Sequence, residues 1–418
     1  MPDLGAPSDF RRPAPACATD SRIPPPPARY NRLVNQAGKA LAGFLLSGFL
    51  FALLGAILPA WGYHLDPPRF VAVGDYFLSL AAGVIAANWI SAAILARKGL
   101  RFLLVFACLL GCAGLLSLVL VTPATPWTWR LPGLAALGLS VGSLNSGLFH
   151  AIAATYARDP VRTVALGGIY YGLGCLAVTL LVAGTFYAYS VPVILMLMAA
   201  APAIFAAIYG RARVAAESTT TQADLRQALR DFRSLGAILF ALLLFFQFGN
   251  EWSVAGWLPL FLVRRLGISP PASLGLLSLY WIALLVGRIV VVAILPRVRH
   301  GRLLGASVLA ALFGCTMLAA TNNQFGAGTA VVLIGLGFAS IYPLVAERIG
   351  GRFPYYHPVY FNGIFSFALF GGLLAPATLG YAAEAWGIGI VVALPLLGTC
   401  MVTLLLGSIW LEAKVTGR

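Results

Sequence analysis

Charged side chains are scarce in this chain. Only 10% of its 418 residues are Asp, Glu, Lys or Arg, whereas 60% are apolar. Soluble domains are about 45–50% apolar and about 25% charged, so this composition excludes a soluble globular protein and indicates a membrane protein. A net charge of +15 would suggest nucleic-acid binding in a soluble protein. Here the basic residues separate apolar runs instead of forming one patch, which indicates membrane topology.

Motifs of enzymes and cofactor-binding proteins are also missing from the sequence. There is no phosphate-binding Gly-Lys-Ser/Thr loop and no His/Cys spacing typical of a metal site. The six cysteines show no paired spacing, so we expect buried thiols with no disulfide. We therefore predict neither an enzyme nor a nucleotide-driven pump, and we expect no cofactor, no metal and no nucleic-acid partner.

What the chain does contain is a series of long apolar runs. A membrane-spanning helix needs about 20 such residues. We predict an all-α membrane protein with twelve transmembrane helices in two pseudo-symmetric six-helix halves, 38–210 and 235–411. Predicted spans 1 to 12 are 40–62, 70–96, 102–121, 132–156, 164–187, 191–210, 235–263, 272–295, 303–321, 327–346, 359–382 and 388–411.

Three segments lie outside the predicted halves. Residues 1–37 are polar and rich in proline and lack a secretory-signal pattern, which predicts a disordered cytoplasmic tail. Segment 211–234 has Leu225, Leu229 and Phe232 at helical spacing, so we expect a linker helix on the cytoplasmic surface. Residues 412–418 form a second predicted cytoplasmic tail.

The distribution of Lys and Arg predicts the orientation. If both termini lie on one side, that side carries 23 of these residues and the other carries four, while Arg288 lies within span 8. The positively charged side of a membrane protein faces the cytoplasm. We therefore expect both termini in the cytoplasm, in a bacterial inner membrane, and we expect a monomer.

Two loops make the chain similar to the major facilitator superfamily over residues 38–411. Between spans 2 and 3 the chain reads Ala96-Arg97-Lys98-Gly99-Leu100-Arg101, which resembles the superfamily's Asp-Arg-x-Gly-Arg-Arg loop with Ala in place of Asp. Gly287-Arg288, followed by the basic segment 297–302, is a looser copy in the second half. The resemblance implies a secondary transporter that works by alternating access around a site lined by spans 1, 4, 7 and 10.

The resemblance also assigns roles to charges near the cytoplasmic ends of the spans. The segment 158–162 after span 4 and the segment 347–352 after span 10 resemble the paired charge clusters of the superfamily. Spans 7 and 10 are most similar to the fucose permease type of sugar:proton symporter. The charges that this resemblance implies for gating or structure are Arg97, Arg101, Arg158, Arg162, Arg288, Glu347 and Arg348.

Glu251 is the only formal charge in span 7 and lies near mid-membrane. An acid at this depth is costly unless it faces protein or water, and such residues usually serve function. Gln247 shares its helix face, and Asn250 lies beside it. Arg288 on span 8 is the expected partner of Glu251, because the depths of the two residues differ by about 6 to 13 Å at 1.5 Å per residue. A structural ion pair is the alternative interpretation.

Two more titratable residues are candidates for proton transfer. His150 follows Ser146 on a narrow polar stripe of span 4, and Asp75 lies near the outer end of span 2. The structural alternatives are a hydrogen bond to a neighbouring span for His150 and an exposed or Arg69-paired acid for Asp75. The predicted proton-coupling residues are Asp75, His150 and Glu251. The predicted substrate-binding residues are Asn145, Ser146, His150, Gln247, Asn250, Glu251, Tyr342 and Asn362.

Together these features predict a proton-coupled secondary transporter of a small solute, with a sugar as the leading candidate. An exporter of drugs, lipids or organic anions is the first alternative, and it is favoured if the cavity proves mainly apolar. A membrane receptor or scaffold that does not transport is the second alternative. The expected partners are the lipid bilayer, the substrate and protons.

Overall fold

The computed structural model describes residues 27–122, 125–158, 160–211, 234–294, 297–352 and 363–416. Within these ranges the chain is helical apart from short loops and has no β-strand. A short 3₁₀ helix, Trp127–Arg130, precedes α3. The helices are α1 (Pro27–Ile57), α2 (Phe70–Val119), α3 (Leu131–Arg158), α4 (Pro160–Thr185), α5 (Val191–Arg211), α6 (Leu235–Leu266), α7 (Pro270–Ile294), α8 (His300–Ala320), α9 (Gln324–Arg352), α10 (Gly363–Trp386) and α11 (Ile390–Thr416).

Helix α2 contains two membrane spans. Its 50 residues would extend about 75 Å if straight, whereas a bilayer core is about 30 Å thick. The chain turns at Gly99, whose φ of 79° is a conformation that residues with a Cβ rarely adopt. Ser79, before the turn, donates a hydrogen bond to the carbonyl of Leu131, and Gly114, after the turn, lies against Gly133. Both arms of α2 thus reach the start of α3, so they run antiparallel.

Eleven helices in the described part of the chain are long and apolar enough to cross a bilayer. Because α2 crosses twice, they supply the twelve predicted spans, and α6 and α7 correspond to spans 7 and 8. The protein is therefore an all-α integral membrane protein. We call the side on which α1 begins and α11 ends the termini side, and we call the other side the distal side.

The helices continue beyond the predicted spans at both ends of the chain. Helix α1 begins at Pro27, inside the predicted disordered tail, and proline suits a first helical turn because its missing N–H has no helical acceptor there. Helix α11 continues to Thr416, inside the second predicted tail. There Glu412 accepts hydrogen bonds of 2.6 Å from Arg352 on α9. The predicted linker helix falls almost entirely on residues 212–233, outside the described residues.

The two halves, α1–α5 and α6–α11, touch closely on the distal side. A Cβ atom added to Gly55 on α1 would lie 2.5 Å from the carbonyl oxygen of Ala255 on α6. Gly74 on α2 and Gly380 on α10 likewise bring two backbones together. These four residues bring the two halves into close contact at the distal end of the interface.

Candidate functional site

A central cavity lies between the two halves and extends from mid-membrane toward the termini side. Counted out to solvent, it has a volume of about 1240 Å³. Eight helices contribute to its wall, four from each half. Its polar lining residues are Asn88, Asn145, Thr163, Glu251 and Arg288. Its aromatic lining residues are Phe44, Phe51, Phe149, Tyr171, Phe248, Trp252, Tyr342 and Phe365.

The structure brings Glu251 and Arg288 together in the wall of this cavity. Glu251 lies halfway along α6 and is 6% exposed. Its Oε1 accepts a hydrogen bond from Nη2 of Arg288 at 3.3 Å, so the two side chains form a buried ion pair. Removing one partner of such a pair leaves an uncompensated charge and costs about 3–5 kcal/mol. Each of the two buried charges is therefore stabilised by the other.

Arg288 also connects the two halves. Its Nη1 donates a hydrogen bond of 2.7 Å to the carbonyl oxygen of Gly168 on α4. A side chain at position 168 would crowd this guanidinium group, because a Cβ there would lie 3.2 Å from Nη1. Arg288 thus contacts Glu251 in its own half and Gly168 in the other half.

Aromatic rings form most of the remaining wall. Trp252, one residue after Glu251, packs edge-to-face on Phe51 of α1 with ring centroids 4.3 Å apart, and on Tyr171 of α4 at 5.9 Å. One turn earlier on the same face of α6, Phe248 contacts Tyr342 at 5.2 Å and Phe365 at 5.7 Å. The cavity thus offers rigid aromatic surfaces that can pack against a bound solute.

Asn145 gives this wall an oriented amide. Its Oδ1 accepts a 2.7 Å hydrogen bond from the hydroxyl of Ser47 on α1. An amide also carries two N–H donors. Neither donor of Asn145 has a hydrogen-bond acceptor among the described residues, so both remain for a ligand in the cavity.

Comparison with solved structures shows the same arrangement of helices. FucP, a transporter crystallised in the outward conformation, matches with a TM-score of 0.63 and 15% identity over 90% of this chain and 99% of its own. The xylose transporter XylE from E. coli, in a partially occluded inward-open conformation, matches with a TM-score of 0.70 and 13% identity over 91% and 97%. The nucleoside transporter NupG matches with a TM-score of 0.65 and 15% identity over 89% and 99%.

The chain has the major facilitator fold. The predicted fold class is therefore confirmed. No protein-family model and no curated protein matches the sequence, so the likeness is one of structure.

Within the major facilitator fold, other residues predicted for the site lie away from the cavity lining. Asn250 donates a 3.4 Å hydrogen bond to the hydroxyl of Thr399 on α11 and packs against Gly398. Successive residues of a helix point about 100° apart, so when Glu251 faces α7 its neighbour faces another helix. Gln247 is completely buried and has no hydrogen-bond partner among the described residues.

The predicted polar stripe on α3 is only partly directed into the cavity. Asn145 lines it, whereas Ser146 and His150 do not. Nδ1 of His150 lies 2.7 Å from the carbonyl oxygen of Ser146, one turn earlier in the same helix. Tyr342 lines the cavity as expected for a binding residue, and Asn362 lies outside the described residues.

Asp75 lies near the distal end of α2, whereas Glu251 lies at the middle of α6. Its Oδ1 accepts a hydrogen bond from the hydroxyl of Tyr381 on α10. Because α2 and α10 belong to different halves, this hydrogen bond joins the halves on the distal side. Its predicted role in proton entry stays a prediction.

The predicted gating charges have several different surroundings. Arg101 donates to the carbonyl of Gly210 on α5, and Glu347 lies 3.1 Å from Nε2 of His300. Arg97 and Arg348 are exposed at the termini side. The side chains of Arg158 and Arg162 lie outside the described residues. These contacts join helices of the same half, and only Arg288 among the described gating candidates reaches the other half.

A second ion pair joins the two halves and was not predicted from the sequence. Nη1 of Arg264, at the distal end of α6, lies 2.7 Å from Oδ1 of Asp66 in the loop 58–69. The same nitrogen donates to the carbonyl of His64 at 3.2 Å. In the sequence, Arg264 was counted only among the four basic residues of the distal side. A contact between a helix end and a loop 198 positions away leaves no periodic signal in the sequence.

Proposed function

We propose that the protein is a secondary transporter that moves a small solute through the central cavity and couples this movement to protons. The observation that carries the proposal is the buried Glu251–Arg288 pair, which lies in the cavity wall between two halves closed at one end. In a bundle of two such halves, rocking exposes a central site alternately to each side. Glu251 would take up or release its proton as its surroundings alternate.

Sugars are the substrate class that we propose first. Aromatic rings such as Trp252 and Tyr342 can pack against the apolar faces of a sugar, while Asn145 offers amide donors to hydroxyl groups. The similar structures include the E. coli fucose:proton symporter FucP, at 14% identity, and a D-xylose-proton symporter, at 13% identity. The sugars that these two symporters transport support this class of solute.

Export of an apolar or amphipathic solute is the second candidate. Five lining residues of the cavity are Asn, Thr, Glu or Arg, and the others have aliphatic or aromatic side chains or are glycine. A mainly apolar wall suits a drug, a lipid or an organic anion with an apolar body. The two candidates differ in the direction of transport, which the experiment below measures.

We further propose that the termini side faces the cytoplasm of a bacterial inner membrane. The excess of Lys and Arg on that side supports this orientation. The structure then represents a state closed to the outside, with the cavity directed to the cytoplasm. A monomer is the proposed functional unit, since one chain supplies the whole cavity wall.

Glu251→Gln tests the proposed coupling. The substitution keeps the size of the side chain and replaces the carboxyl group by an amide, which does not bind or release a proton in this pH range. In proteoliposomes with an imposed pH gradient, the wild type is expected to accumulate labelled sugars from a screened panel. The variant is expected to equilibrate the same sugar without concentrating it. Glu384→Gln is the matched control, because Glu384 is exposed, lies on the distal side and accepts from the backbone N–H of Phe70, a bond that glutamine keeps.

Full proton-driven accumulation by Glu251→Gln would remove this residue from the coupling. Movement of apolar solutes outward against the gradient, with no sugar uptake, would select the exporter. A wild type that neither accumulates nor exchanges any solute of a panel of sugars, nucleosides, organic acids and lipids would favour a receptor or scaffold.

A further inference from the structure

A second pocket lies within the first half, at its distal end. Counted out to solvent, it has a volume of about 1050 Å³. The loop 58–69, the end of α2, the 3₁₀ helix and the start of α5 form its wall. None of its lining residues lines the central cavity. The pocket is therefore a separate site, on the opposite side of the membrane from the termini.

The charge in this pocket is positive and incompletely neutralised. Arg69 and Arg130 line it, together with one acid, Asp66. That acid already pairs at 2.7 Å with Arg264, which is not part of the wall. Two arginines therefore face a ligand space in which the only acid of the wall is engaged elsewhere. An anion is the ligand that this charge favours.

Arg130 is held in place and still has unused donors. Its Nη1 donates to the hydroxyls of Tyr63 at 3.2 Å and Tyr76 at 3.1 Å. The guanidinium carbon lies 4.8 Å from the ring centroid of Trp61, close enough for a cation–π contact. Arginine has five N–H donors. Those on Nε and Nη2 have no hydrogen-bond acceptor among the described residues. A fixed guanidinium with free donors suits the planar recognition of phosphate.

Part of the remaining wall is apolar and open to the surroundings. Val121, which follows α2, and Val191 and Pro192 at the start of α5 line the pocket and are partly or fully exposed. Large apolar side chains of the same segments are exposed, with Leu120 at 79% and Leu197 at 47%. In a membrane protein such surfaces contact lipid. Trp61 and Trp127 in the wall are typical of the level at which lipid headgroups lie.

We propose that this pocket binds the phosphate group of an anionic phospholipid of the distal leaflet. Arg69 and Arg130 donate to the phosphate oxygens, and Val121, Val191 and Pro192 contact the first methylene groups of the acyl chains. A free phosphate ion would use the arginines but would leave the apolar wall unused. The inference does not depend on the transport proposal, because binding is measured without a gradient.

A thermal-shift titration of the purified full-length chain in detergent tests the site. The probes are short-chain phosphatidylglycerol, phosphatidylcholine with the same acyl chains, and inorganic phosphate. A ligand that binds only the folded protein raises the melting temperature, and the increase grows with the logarithm of the ratio of ligand concentration to Kd. We expect phosphatidylglycerol to bind more tightly than the other two probes, and we expect Arg69→Gln or Arg130→Gln to weaken its binding roughly tenfold or more.

Two features of the design separate loss of binding from loss of folding. Arg69 has no side-chain hydrogen bond among the described residues, so Arg69→Gln leaves the internal contacts of the fold intact. Arg265→Gln is the matched control, because Arg265 is an exposed arginine on the distal side outside the pocket. Unchanged affinity in both pocket variants, or equal binding of phosphatidylcholine, would overturn the proposal. Inorganic phosphate that binds as tightly as phosphatidylglycerol would overturn the lipid assignment.

Discussion

The two ends of the interface between the halves are built from opposite kinds of residue. On the distal side, Gly55, Gly74 and Gly380 bring backbones of different halves into contact. Toward the termini side, rings such as Trp252 and Phe248 line an open cavity. Small residues permit close helix packing in membranes, where no hydrophobic effect drives helices together. The closed end thus depends on the absence of side chains, whereas the cavity depends on their presence.

Polar contacts across the distal side are a smaller part of this difference. The Arg264–Asp66 pair is exposed, with the Asp66 side chain 82% accessible. Exposed ion pairs contribute about 0.2–1 kcal/mol, whereas overpacking a tight site costs about 1–3 kcal/mol. Backbone packing therefore dominates the closure. Added bulk at the glycines should open the distal side more than the loss of any one charge.

Gly380→Leu is expected to have the largest effect. A Cβ at this position would overlap backbone atoms of Gly74 and Phe70, which cannot rotate away as a flexible side chain can. We expect the population closed on the distal side to fall roughly tenfold or more. Spin labels at positions 65 and 386, both exposed on the distal side and in different halves, report the change as a longer distance.

Gly389→Leu is the control for this experiment. Gly389 is also on the distal side, but a Cβ there would have no atom within 4 Å. Its label distances should match those of the wild type. Distances that stay unchanged in Gly380→Leu would show that the glycine contact does not hold the distal side closed.

Arg264→Gln is expected to have a smaller effect on the same distances. It removes the pair with Asp66 and the hydrogen bond to the carbonyl of His64. At about 0.2–1 kcal/mol, the equilibrium constant between the closed and open distal side should fall by a factor of roughly 1.4 to 5. Salt screens exposed charges, so raising the ionic strength should lower the closed population of the wild type but not of the variant. If Arg264→Gln lengthened the label distances more than Gly380→Leu does, the ion pair would contribute more to distal closure than the glycine packing.

Most of the fold could be predicted from the sequence because each membrane span is a long run of apolar residues. The apolar runs predict twelve membrane spans, and the described part of the structure has eleven membrane-capable helices, of which α2 crosses twice. Only the helix ends differ, since Pro27 starts a helix inside the predicted tail. Helical residues of the tail are polar, so hydropathy gives no signal for them.

The candidate site could be predicted only in part. Glu251 and Arg288 could be predicted as site residues because a charge in an apolar span is rare and its depth follows from helix rise. The direction of the Asn250 side chain could not be predicted. Sequence periodicity shows which residues share a helix face but not which neighbouring helix that face meets. Asn88 and Thr163 were missed for the same reason. Their positions depend on how the two halves are placed against each other.

The smallest expected effect on the distal side is a dependence on pH through His64. Burial lowers the pKa of this imidazole below its ordinary value of 6.5, and the positive charge of Arg264 acts in the same direction, while a backbone hydrogen bond at Pro59 opposes it. An exposed or unfolded His64 therefore binds a proton at higher pH than the packed one does. Its contribution to closure is complete above pH 6.5 and is lost as the pH falls below that value.

His64→Gln checks this dependence, because glutamine does not titrate in this range. In the wild type, the labels at positions 65 and 386 should report a lower closed population at acidic pH than at neutral pH, and the variant should lack part of that change. His300→Gln on the termini side, where the imidazole meets Glu347, is the control and should keep the distal response. Equal responses in His64→Gln and the wild type would assign the pH dependence to another group. Asp66, which lies beside His64 and binds Arg264, would be the first group to examine.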